Sequence, residues 1–148
     1  MTNIRARTLI PGSAEGMLLI LEQPLSLWGG VTLETGDIMD RSHPQFGQNI
    51  SGRILAMRSG RGSSSSSSAL VELARTGHAP AAILLMTSDP ILIMGALVAT
   101  DLYDVSLPVL QITPENWSHL RHGGTIRCEA SDQLTGAAIR PIEGLNGS

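Results

Sequence analysis

GRILAMRSGRGSSSSSSALVELARTGHAPAAILLM, residues 52–86, decides the fold. Arg53 to Met57 is a short apolar run of the length of a buried strand, and Gly60 to Ser68 is a glycine and serine loop. A helix over about Ser67 to Thr76 follows, because Ala69, Leu70, Leu73 and Ala74 recur at helical spacing and Gly77 supplies the stop. Ala81 to Met86 is then the next strand. A strand, a crossover helix and a second strand within 35 residues imply parallel pairing with a right-handed connection.

Towards the C-terminus the same alternation continues. Pro90 to Leu102 reads as a helix with Ile91, Met94, Leu97 and Val98 inward, and Leu107 to Ile112 as a third strand. Thr113-Pro114-Glu115 carries a hydroxyl at the cap, proline in the first turn and an acid near the positive end, so another helix starts there and stops at Gly123-Gly124. Thr125 to Ala130 and Thr135 to Ile142 close the chain as strands. The N-terminal third is richer in turns: Met17 to Leu21 and Val31 to Leu33 read as short strands, and His43-Pro44-Gln45-Phe46-Gly47 as a loop. The expected class is α/β, a layered β/β/α arrangement with a largely parallel C-terminal sheet and a strand-rich N-terminal layer that forms a second sheet or a barrel-like layer. At 148 residues the whole chain, 1–148, fits one domain that buries about 70% of its unfolded surface.

Composition removes several functions. All ten basic residues are arginine, so there is no P-loop lysine, Schiff-base lysine or lysine general base. With a net charge of −3 and only 3% aromatic residues, the chain has no basic stripe for nucleic acid. Pro11, Gly12 and Glu15 interrupt the apolar stretch that follows Arg5 and Arg7, which argues against a signal peptide. No later run reaches the ~18 apolar residues of a membrane span, and the cytoplasm is the expected compartment. Cys128 is the only cysteine and alternates with Ile126 in a strand pattern, so it reads as a core thiol; no metal site is expected within this chain.

The chemistry points back to the loop. Six serines, Ser63 to Ser68, have the composition of a linker, but they lie between a buried strand and an amphipathic helix, where backbone N–H groups point above the sheet. Gly60 and Gly62 permit a tight turn and close ligand approach, and Arg61 adds a fixed positive charge. Such a setting favours an alkoxide over a free alcohol. A Walker A motif would need a lysine, and a nucleophile elbow would need a glycine two residues beyond the serine. Neither is present.

Gly60-Arg61-Gly62-Ser63 and its serine-rich continuation resemble the catalytic serine loop of the aconitase superfamily's swivelling domain, and specifically the small subunit of the aconitase X group. His43-Pro44, Gly47, Gly52 to Leu55, Leu70 to Gly77, Ala79 to Ile83, and Asp89 to Leu92 with Gly95-Ala96 carry the same resemblance, which runs from about Gly12 to Gly136. Family members often have a cysteine and a glycine where this chain has Ser64 and Ser66. The resemblance implies that Ser63 is the general base, removing a proton beside a carboxylate. Gly60, Arg61, Gly62, Ser64 and Ser65 of the loop are the candidate substrate contacts, and His43 either lines the substrate cleft or is solvated or caps neighbouring backbone. The resemblance also implies an iron acting as Lewis acid on the leaving hydroxyl. Iron–sulfur clusters take about three or four thiolates and this chain has one, so the cluster is expected on a large-subunit partner in a heterodimer. The implied substrate is a small carboxylate: cis-3-hydroxy-L-proline, favoured by an arginine-only composition typical of GC-rich bacteria, or mevalonate 5-phosphate. A module of this fold without catalysis is the alternative from another class.

Other residues have plainer readings. Asp89 before Pro90 is an N-cap beside the site. His78, His119 and His122 read as surface residues, and Trp28 and Trp117 as either interface anchors or core.

Overall fold

The computed structural model describes residues 3–61, 64–121 and 123–142. Within them, seven strands close into a barrel in the order β1-β5-β4-β3-β2-β6-β7. The strands are β1 (Ile4–Ile10), β2 (Gly12–Ile20), β3 (Ile54–Met57), β4 (Ala82–Leu85), β5 (Val109–Gln111), β6 (Thr125–Ala130) and β7 (Ala137–Pro141). Between them lie α1 (Leu27–Gly30), α2 (Ser65–Thr76), α3 (Pro90–Tyr103) and α4 (Pro114–Trp117).

Four neighbours, β2, β3, β4 and β5, run parallel, with Leu55 beside Leu19 on one flank and beside Ile83 on the other. β1, β6 and β7 pair antiparallel and complete the circle. The α/β class is thus as expected, and the barrel-like layer takes a specific form: β2 joins the parallel set, while the last two strands return antiparallel.

Period-2 alternation sends successive residues to two separate cores. Ile54, Ala56, Ala82, Leu84 and Leu110 point into the barrel, where they meet Ile126, Cys128 and Ile139. Leu55, Met57, Ile83, Leu85 and Val109 point outward and are covered by Leu70 and Leu73 of α2 and by Leu92 and Ala96 of α3. Strands buried on both faces read as continuous apolar runs, which is why β3 and β4 stand out in the sequence.

The segment between β2 and β3 departs from expectation. Val31 makes a single antiparallel bridge with Ile38 in place of a strand over Val31 to Leu33. A tight turn from Thr32 to Asp37, with Gly36 at φ 83°, leaves no length for a ladder. The segment is still packed, because Leu21, Leu25, Leu27, Val31, Ile38 and Ile50 are all buried in the outer core. α4 is also shorter than expected, ending at Trp117 rather than near Gly123.

Candidate functional site

The serine loop leaves the carboxyl end of β3 and enters the N-terminus of α2, the end that carries partial positive charge. Gly62 and Ser63, the proposed base among them, lie outside the described residues, as does His122; the residues on either side of Ser63 define the setting. Ser64 takes the N-cap position with helical dihedrals and no side-chain cap. Ser65 to Ser68 are the first turn of α2. Ser66 is 3% exposed, and its hydroxyl donates to the Arg61 carbonyl at 3.2 Å. Ser65 to Ser68 form a helical turn with Ser66 buried in it, so they are not a linker. The composition is low-complexity because a tight packing site selects small residues with hydroxyls.

Two other segments hold the near side of the loop. Arg61 forms a parallel bridge with Ser26, which ties the loop to the segment carrying Trp28. Gly60 faces Asp89, and a Cβ there would collide with the Asp89 carboxylate and press on Leu92 Cδ1. Asp89 is the N-cap of α3, as its position before Pro90 predicts: Oδ1 accepts from Ile91 N at 2.9 Å and from Leu92 N at 3.4 Å. Its Oδ2 is the atom that faces Gly60.

His43 is 5% exposed. Gln45 N–H donates to Nδ1 at 3.0 Å, so the ring hydrogen sits on Nε2, which donates to the Gln23 carbonyl at 2.9 Å. Both ring nitrogens are therefore engaged by backbone, and the ring fastens the 40–46 turn to the chain leaving β2. That turn carries Asp40, whose carboxyl is held below its ordinary range first by hydrogen bonds from the Ser42 hydroxyl and backbone N–H, with the positive charge of Arg61 a lesser contribution. Asp40 is thus a carboxylate near Arg61 that the sequence reading does not single out. It comes close only because the long β2–β3 segment folds back, and no local pattern signals that.

Among the described residues no group of three or more His, Cys, Asp or Glu is placed to hold a metal ion. Cys128 is sealed inside the barrel, with its thiol pushed up to about 12 by burial. One cysteine enclosed in the barrel core does not supply the roughly three or four thiolates that an iron–sulfur cluster takes, so the described residues do not fit such a cluster. Trp28 is 58% exposed, whereas Trp117 is half-buried with the Arg58 guanidinium over its ring at 5.8 Å. His119 is exposed, and His78 is half-buried with Nδ1 3.0 Å from the Ser51 hydroxyl. No helix among the described residues is long and apolar enough to cross a membrane.

The chain matches the model of one family, the Aconitase X swivel domain, over residues 3–136. The chain belongs to this family. Aconitase X from Thermococcus kodakaraensis, in its holo-form crystal structure, superposes with a TM-score of 0.80 at 28% identity, covering 97% of this chain and 100% of that one. The chain is 50% identical over 103 residues to cis-3-hydroxy-L-proline dehydratase of Pseudomonas aeruginosa, covering 70% of itself and 18% of that protein. It is 35% identical over 129 residues to the phosphomevalonate dehydratase small subunit of Thermococcus gammatolerans, covering 87% of itself and 92% of that subunit. This swivel domain therefore spans about a fifth of the length of the first relative and nearly the whole of the second.

Proposed function

We propose that this chain is the small subunit of an aconitase X type hydro-lyase, in which Ser63 is the general base for dehydration of cis-3-hydroxy-L-proline. The observation that carries the reading is that the described residues flanking Ser63, Arg61 beyond the carboxyl end of β3 and Ser66 in the first turn of α2, are joined by a hydrogen bond, in a chain of the aconitase X swivel family. A serine of ordinary acidity does not take a proton near neutral pH, so its alkoxide must be stabilised. The positive end of α2 and Arg61 supply part of that field, and Gly60 and Gly62 let the substrate approach the backbone. Asp40 partly offsets Arg61, so the remaining stabilisation comes with the substrate and with the partner that closes over the loop and excludes water.

Gly60, Arg61, Gly62, Ser64 and Ser65 are the proposed substrate contacts, and His43 acts by positioning the turn that carries Asp40. The cluster belongs to a cytoplasmic large subunit, which this chain joins as a heterodimer; the buried, neutral state of Cys128 supports that assignment. The 50% identity to a cis-3-hydroxy-L-proline dehydratase, against 35% to a phosphomevalonate dehydratase small subunit, supports the choice of substrate.

The test is to purify the chain with its large subunit and assay both compounds, with Ser63→Ala alongside. The expected result is turnover of cis-3-hydroxy-L-proline, reduced at least ~10²-fold by Ser63→Ala in a complex that still assembles. Turnover of mevalonate 5-phosphate alone would reverse the substrate. Full activity in the Ser63→Ala complex would replace the reading with a non-catalytic swivelling module.

A further inference from the structure

Beyond the carboxyl end of β5 there is an open cavity of about 540 Å³. It is bounded by Arg5 and Arg7 of β1, by Gln111 and Ile112, by α4 and by Met86. That size lies within the ~300–1,000 Å³ of small-molecule sites. Arg5 and Arg7 are two residues apart on one strand, so their side chains leave the same face. Arg7 pairs directly with Gln111 across the ladder.

Neither guanidinium has an acidic partner among the described residues; the ion pairs there use Arg75, Arg127 and Arg140. None of the described residues lining the cavity is acidic, although the chain carries a net charge of −3. Two like charges side by side without a counter-ion are mutually unfavourable, and an anion between them relieves that cost. The amide groups are already directed: Gln111 Nε2 donates to the Met86 carbonyl at 3.2 Å, and Asn116 Nδ2 donates to the Arg5 carbonyl at 3.1 Å. The same bonds hold Arg5 and Met86 in place. The floor is apolar, from Ala6, Met86, Ile112 and Pro114.

We propose that this cavity is a second binding site, for a small organic anion with an apolar body, whose carboxylate or phosphate is gripped by Arg5 and Arg7. None of its described lining residues is in the serine loop, and the proposal does not depend on the dehydratase reading. The two sites are mechanically joined, because Met86 N–H donates to the Met57 carbonyl and Arg58, next to Met57, lies over Trp117 of α4.

The experiment is an amide-shift titration of the full chain with benzoate, phenyl phosphate and neutral benzamide at constant ionic strength. Saturable shifts at Ala6, Arg7, Gln111 and Asn116 with either anion and not with benzamide are expected, and the stronger anion identifies the head group. Arg5→Gln and Arg7→Gln keep the strand polar and should each weaken binding at least about tenfold. No saturable shifts with either anion, equal binding of benzamide, or unchanged affinity in both variants would overturn the proposal. None of those results bears on turnover by the Ser63-containing complex, which is assayed separately.

Discussion

Gly60 shows how a single hydrogen can hold a site together. Asp89 Oδ2 occupies the space where a side chain would begin, while Oδ1 caps α3, so the carboxylate cannot retreat without releasing the helix. Gly60→Ala should therefore displace the loop rather than unfold the domain. A loop shifted by about 1 Å is expected to cost roughly a hundredfold in turnover, measured on the assembled complex beside its melting temperature. Cys128 offers a simpler check: a thiol raised to about 12 inside the barrel should resist alkylation at neutral pH until the chain unfolds, and a native-state stoichiometric reaction would contradict its placement. At this scale the sequence was informative where chemistry is local. The N-cap at Asp89 follows from the proline after it, whereas the need for glycine at 60 comes from the approach of Asp89. The approach of Asp40 to Arg61, and the clamping of both His43 nitrogens, depend on where a long segment lands and leave no local trace.

Among the elements, α3 is where periodicity misleads. The sequence reading turns Ile91, Met94, Leu97 and Val98 inward, whereas the buried residues are Leu92, Gly95, Ala96 and Ala99, with Met94 57% and Leu97 49% exposed. A helix that is apolar on nearly every side has two eligible faces, and α2 selects the one with small residues because the two helices touch. A Cβ on Gly95 would stand 2.9 Å from the Ser67 carbonyl, in the first turn of α2. Gly95→Val should force the helices apart, costing about 1–3 kcal/mol by denaturant melt, and should also lower activity if Ser63 is the base, because Ser67 lies in the helical turn that follows it. Met94→Ser should change stability by only about 0.5 kcal/mol. The β2–β3 segment makes a pH prediction. Asp37 is held below its ordinary range by hydrogen bonds from Asn49 and Thr35, and Asp40 by Ser42, Asp37 Oδ1 lying 2.9 Å from Asn49 Nδ2. Carboxyls depressed in the folded state contribute stability that is complete above the unfolded value of ~3.9 and is lost as pH falls through the folded one. Amide protection at Gly36 and Ile50, which share a backbone bond, measured relative to the intrinsic exchange rate at each pH, should fall below about pH 4, and Asp37→Asn should flatten that dependence.

For the molecule as a whole, the parallel middle was legible because strands buried on both faces are continuous apolar runs, while the closure was not. In β1 the buried Ile4, Thr8 and Ile10 alternate with exposed Arg5 and Arg7, a half-polar pattern that resembles an interrupted apolar run. Yet β1 joins β5 to β7 and removes the last free edges of the sheet, leaving no open strand that needs a partner for its hydrogen bonds. Both cores are likewise filled from within this chain, one inside the barrel and one beneath α2 and α3. Among the described residues the serine loop is held by Asp89 beside Gly60 and by the Ser26 bridge to Arg61, and the chain's single thiol is enclosed. Folding and catalysis should therefore separate: the isolated chain is expected to show a cooperative melt by circular dichroism, no stoichiometric iron and no dehydration of either substrate, with activity appearing on addition of the large subunit. Turnover or bound iron in the isolated chain would refute the shared active site. A chain that melts only in complex would refute independent folding and would place part of the stabilising surface at the interface, where exposed Trp28 is bridged through Ser26 to the loop.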